Sequence, residues 1–133
     1  MFTRRFVITH RRDEIEDAQR ALLHAIAAAG YSEASGFAIR LALEEALSNA
    51  FRHGNRGDPA KSVRIDCRVQ SDAVTIEIED EGEGFDPASV PDPTQLENIE
   101  IPSGRGLTLM RGFMSEVDFP PPGNRVRMTY RRP

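Results

Sequence analysis

Apolar positions recur along this chain with two periods, and the switch between them divides it into elements. After Asp13, the residues Ile15, Ala18, Ala21, Leu22, Ile26 and Ala29 fall at helical spacing, and Gly30 closes the run. Ser32 is placed to cap a second helix, with Glu33 or Ser35 in its first turn, that runs to about His53 and stops at Gly54-Asn55. Within it Ile39, Leu43, Ala46, Leu47 and Ala50 share one stripe at about 100° per residue, the face predicted to pack on a sheet.

Period two takes over in residues 63–69, where Val63, Ile65, Cys67 and Val69 alternate with polar positions, and again in 74–78. With Gln70-Ser71-Asp72 between them, the two runs predict a β-hairpin. Residues 2–8 are short and apolar-rich enough for an edge strand. A short helix is predicted from Gly106 to about Met114, followed by a strand ending at Phe119, a stop at Pro120-Pro121-Pro122-Gly123, and a last strand with Val126, Met128 and Tyr130 on one face. Residues 54–59 are a turn by composition, and no internal repeat is visible. Residues 85–103 hold Pro87, Pro91, Pro93 and Pro102 and have little period; a loop of that length is usually functional or mobile.

The order predicts an α+β protein: helices on one face of a mixed, mostly antiparallel sheet, a two-layer α/β sandwich formed by residues 1–133 as a single domain. It lacks regular βαβ alternation, and no Gly-x-x-x-x-Gly-Lys-Ser/Thr occurs. Any nucleotide site must use another architecture.

The chain has 133 residues, 39% hydrophobic and 29% charged, with a net charge of −4. That balance suits a globular domain and carries no electrostatic footprint for nucleic acid. Basic residues do cluster at Arg4, Arg5, Arg11 and Arg12, and at Arg125, Arg127, Arg131 and Arg132, where a solvated surface or protein interface is the expectation. No apolar window reaches the roughly 18 residues a membrane helix needs, and the first residues lack a signal-peptide pattern, so the expectation is a cytoplasmic protein without a membrane partner. The one cysteine, Cys67, excludes an internal disulfide and falls at a buried strand position.

Three segments carry chemistry. On the second helix Glu45, Asn49, Arg52 and His53 fall on a stripe beside the apolar one, whereas Glu44 points elsewhere. The amide oxygen of Asn49 is a hard ligand suited to Mg²⁺, and the Glu45 carboxylate can accept a proton from an attacking hydroxyl. A solvated helix face in which the Glu makes a surface pair fits the same positions. In the next segment Asp80 shares the parity of Val74, Ile76 and Ile78, which turns its carboxylate toward the covered face. There it can accept from the exocyclic amine of adenine, and Gly82 and Gly84 leave room for a flat base. An Asp that caps its own turn fits as well. Last, Gly104, Arg105 and Gly106 open a helix at Leu107 and Thr108, whose free N–H groups favour phosphate; the same Gly-x-Gly is also an ordinary hinge.

Taken in order, Glu45 through His53, Asp80 through Gly84 and Gly104 through Leu109 resemble the N, G1 and G2 boxes of the GHKL ATPase superfamily. The nearest resemblance is to the small anti-sigma-factor serine kinases of the SpoIIAB and RsbW type, over roughly residues 2–130, with Gly106 to Met110 and Phe113 to Val117 the most specific stretch. The resemblance implies a Bergerat-type α/β sandwich that binds ATP or ADP with Mg²⁺. It implies Glu45 as catalytic base, Asn49 as Mg²⁺ ligand, Asp80 as the adenine-reading acid, Gly82, Gly84, Gly104 and Gly106 as nucleotide turns, and residues 85–103 as an ATP lid. It further implies a homodimer that binds a sigma factor or phosphorylates a serine of a STAS-domain antagonist. A nucleotide-gated binding module without kinase activity is the alternative. The chain departs from that family in its proline-rich lid, which ends Ile101-Pro102-Ser103 without a basic residue, and in the Gly54-Asn55 turn after His53.

Overall fold

A computed structural model describes residues 1–83 and 106–133, and side chains in all of these except 106–109. The elements are β1 (Phe2–Ile8), α1 (Arg12–Ala28), α2 (Glu33–Asn49) running into a π-helical turn (Ala50–Gly54), β2 (Val63–Val69), β3 (Ala73–Glu79), α3 (Gly106–Phe113), β4 (Glu116–Asp118) and β5 (Arg125–Arg131). The five strands form one sheet in the order β1-β2-β3-β5-β4, and every pairing is antiparallel. The expected α+β sandwich is therefore present. Among the described residues no helix is long and apolar enough to cross a membrane.

Alternation decides the layers. Val63, Ile65, Cys67 and Val69 of β2, Val74, Ile76 and Ile78 of β3, and Val126 and Met128 of β5 are all buried against Leu22 and Ile26 of α1 and Ile39, Leu43, Ala46 and Leu47 of α2. Ser32 caps α2 through its side chain, which accepts from the Ser35 N–H at 3.1 Å, and Gly30 turns the chain between the helices at φ +87°. Cys67 donates its thiol to the Arg4 carbonyl at 3.3 Å from a buried position, and burial pushes its pKa up.

The opposite face of the sheet carries charge in register. Arg5 sits opposite Asp66, Arg64 opposite Glu79 and Glu77 opposite Arg127. These pairs close to 2.6, 2.8 and 2.7 Å. Arg131 pairs with Glu116, while Arg132 lies over the Tyr31 ring and donates to the carbonyls of Ala29, Gly30 and Ser71. Arg11 pairs with Asp13 and Glu14, and Arg12 with Glu16. Much of the two basic clusters is thus neutralised within the fold.

Candidate functional site

The helical hydrogen-bond pattern widens where α2 ends. The Asn55 N–H donates to the Ala50 carbonyl at 2.8 Å, five residues back, and the Gly57 N–H to the Phe51 carbonyl at 2.8 Å. A π turn takes more residues per revolution than an α turn and is a frequent feature of functional sites. Regular helical geometry would keep Arg52 and His53 on either side of the Asn49 line. In the wider turn Asn49 and His53 line one recess, and Arg52 stands outside its walls, exposed.

Asn55 anchors this turn. It is buried to 1% exposure, and its side-chain amide donates to the Ser62 carbonyl at 2.9 Å while its oxygen accepts from the Glu81 N–H at 2.8 Å. One buried amide therefore ties the end of α2 to the entry of β2 and to the turn after β3. The sequence marks Asn55 only as a turn residue; a polar residue next to a helix-ending Gly gives no signal of its distant partners.

The recess, about 150 Å³, lies between the end of α2 and the adjoining ends of β3 and β5. Ala46, Ala50, Ile78, Met110 and Val126 give it apolar walls; Asn49, His53, Asp80 and Asn124 are polar groups on it. A flat heterocycle with a few polar edges matches walls of this kind. Asp80 follows β3 with its carboxylate toward the helices, as strand parity predicts. Its Oδ1 accepts from the Gly82 N–H at 2.7 Å, and Oδ2 accepts from no described residue. Burial is the leading cause that raises its pKa, opposed by that N–H bond. Asn124 holds the Asp80 backbone from the turn that leads into β5.

Two glycines close around the acid. A Cβ on Gly54 would stand 2.0 Å from the Asp80 Cγ and Oδ2, and one on Gly82 would stand 2.3 Å from the Gly54 carbonyl oxygen. Gly82 is marked in advance by its place after Asp80. Gly54 is visible in sequence only as a helix stop, although a side chain there would run into the acid.

Glu45 lies on α2 one turn before Asn49, half-buried, and is not part of the recess wall; Glu44 pairs with Arg40 at 3.4 Å on the exposed side. Helical phase thus separates the two glutamates. Gly106, Leu107 and Thr108 form the first turn of α3. Gly84, Gly104 and Arg105 lie outside the described residues, as does the segment 85–103. Among the described residues no group of three His, Cys, Asp or Glu side chains could hold a metal. A Mg²⁺ here would accompany phosphate and take one oxygen from Asn49, in keeping with the few protein ligands this ion uses.

Comparison with known proteins gives the geometry a context. The model of the family described as "Histidine kinase-like ATPase domain" matches residues 8–130. The chain is 36% identical over 97 residues to a protein named anti-sigma F factor from Oceanobacillus iheyensis, an alignment covering 68% of this chain and 66% of that one. It is 35% identical over 83 residues to the anti-sigma F factor of Clostridium perfringens, covering 60% and 59%, and 37% identical over 83 residues to that of Bacillus cytotoxicus, covering 60% and 56%. The matched stretch spans between 56% and 66% of the length of these curated relatives.

Proposed function

The chain belongs to the histidine kinase-like ATPase family, and from that premise we propose that it is an ATP-dependent protein serine/threonine kinase of the anti-sigma-factor type. The observation that carries this reading is Asp80: a half-buried acid on a recess with apolar walls and polar edges, with Oδ1 held by Gly82 and Oδ2 accepting from none of the described residues. An adenine amine supplies that donor, and the apolar walls suit the faces of the base.

Asn49, on the recess wall at the end of α2, would hold Mg²⁺ with the triphosphate, and the ion would supply neutralisation of phosphate charge. The free N–H groups that open α3 at Gly106, Leu107 and Thr108 would receive phosphate, and the family resemblance assigns Gly104, Arg105 and Gly84 to the nucleotide as well. Glu45 accepts the proton of a partner serine hydroxyl as its oxygen bonds to the γ-phosphorus and ADP departs. The serine belongs to a STAS-domain antagonist, and a sigma factor is the alternative occupant of the partner surface; the kinase acts as a homodimer in the cytoplasm. Relatives named anti-sigma F factor support this assignment.

A nucleotide-gated binding module without phosphoryl transfer is a second reading, favoured by the position of Glu45 outside the recess wall. One experiment separates the two. Mg-ATP and Mg-ADP are expected to raise the melting temperature, and labelled ATP is expected to mark one STAS-domain protein of the same genome, a transfer that Glu45→Gln abolishes while ATP binding persists. Stabilisation without transfer to any STAS protein would leave the binding module. A melting temperature indifferent to either nucleotide would remove both readings.

A further inference from the structure

Gly54 is not required by its own backbone. Its φ lies outside the left-handed region that sets Gly30, Gly57 and Gly123 apart, so a side chain there would meet no conformational penalty of that kind. What it would meet is one chemical group: the three nearest atoms to a Cβ on Gly54 are the Asp80 Cγ and Oδ2, each at 2.0 Å, and Oδ1 at 2.5 Å. We propose that Gly54 is a positioning residue for base selectivity, its bare Cα holding the Asp80 carboxylate in the one orientation that presents Oδ2 to the recess. The proposal rests on the nucleotide-binding reading above and adds a residue which acts on the ligand only through Asp80.

The two glycines of the cradle differ in what their loss disturbs. A Cβ on Gly82 would approach Asp80 Oδ1 to 2.9 Å, but it meets the Gly54 carbonyl first, at 2.3 Å, which is backbone, and the backbone here is tied down by Asn55 and Asn124. A Cβ on Gly54 runs into the end of a side chain, which can turn about its first torsion. That rotation breaks the 2.7 Å bond from the Gly82 N–H and carries Oδ2 away from the recess, while the surrounding main chain stays in place. Gly82→Ala is therefore a change in stability and Gly54→Ala a change in recognition. Because Gly54 also ends the π turn that begins beside Asn49, one five-residue segment, Ala50–Gly54, joins the phosphate-side amide to the base-side acid.

The test is equilibrium binding of Mg-ATP and Mg-ITP, which share a triphosphate and differ in the amine that Asp80 would accept from. Wild type is expected to prefer ATP. Gly54→Ala is expected to weaken ATP about tenfold or more, as loss of a hydrogen bond to a charged group does, with ITP little changed, so that the ATP/ITP ratio collapses. In an Asp80→Ala background the same Gly54→Ala change should alter neither affinity. A wild-type preference for ATP that survives in Gly54→Ala overturns the inference and leaves the nucleotide reading standing. Failure of wild type to bind either nucleotide overturns both. Should Gly54→Ala not fold, recovery of the fold in Gly54→Ala/Asp80→Ala supports the carboxylate as the group the Cβ meets, and failure to recover identifies a packing glycine and overturns the inference.

Discussion

Asn124 holds both backbone groups of Asp80: the Asp80 N–H donates to the Asn124 carbonyl at 2.9 Å, and the Asn124 side-chain amide donates to the Asp80 carbonyl at 3.1 Å. Asp80 lies one residue beyond the last β3–β5 ladder pair, Glu79 with Arg125, where a strand end would normally fray. The side-chain bond extends the pairing by one residue, so the acid keeps a strand-like direction after the strand has ended. The direction that strand parity gives the side chain is thereby kept past the end of the strand.

That placement has a pH signature. Burial raises the folded pKa of Asp80 above its unfolded value, and an acid shifted this way costs stability once ionised. Its stabilising contribution is complete below the unfolded pKa and fades as pH rises through the folded one. Asp80→Asn relieves that cost, so the ligand-free variant is expected to melt at or above wild type at pH 7, the difference shrinking as pH falls toward the ordinary Asp range. The same variant is expected to lose at least about tenfold in ATP affinity, because an amide N–H would face the base amine, donor against donor. Melting curves from pH 4 to 8 with and without Mg-ATP check both halves.

Asn55 makes a different prediction. Asn55→Ala leaves the Glu81 N–H and the Ser62 carbonyl without their partner and opens the junction between the π turn and the sheet. A loss of about 2–3 kcal/mol is expected in urea denaturation, in the range for unsatisfied buried polar groups. Asn55→Asp retains the acceptor for Glu81 but sets a buried carboxylate oxygen against the Ser62 carbonyl, and is expected to destabilise at least as much as Asn55→Ala at pH 7.

Cys67 should be chemically silent in the native protein. It is 2% exposed, and burial raises its pKa, so little thiolate forms and none is accessible. Modification by a disulfide reagent at pH 8 is expected to proceed only through unfolding and to accelerate with urea along the denaturation curve. Rapid labelling without denaturant would contradict the packing of β2 described above.

Local pattern was enough for the elements because each element's period is a property of neighbouring residues. Alternation marks β2 as Val63–Val69, helical spacing marks the apolar stripe of α2, and strand parity turns Asp80 toward the helices. Phase on α2 also separates Glu45 from Glu44, which pairs outward with Arg40. The three boxed segments, read in order, named the family that the comparison of residues 8–130 shows.

What the sequence by itself determined, then, is the elements, the direction of Asp80 and the family. Tertiary structure alone decided that β3 pairs with β5 across about fifty residues, that the helix widens at Ala50 rather than continuing as α, and that Gly54 meets the Asp80 carboxylate. The reason is physical. The π turn coincides with bonds from Asn55 to Ser62 and Glu81, and the glycine contact depends on two main-chain segments brought together by the sheet, so neither leaves a period or a propensity in the residues around it.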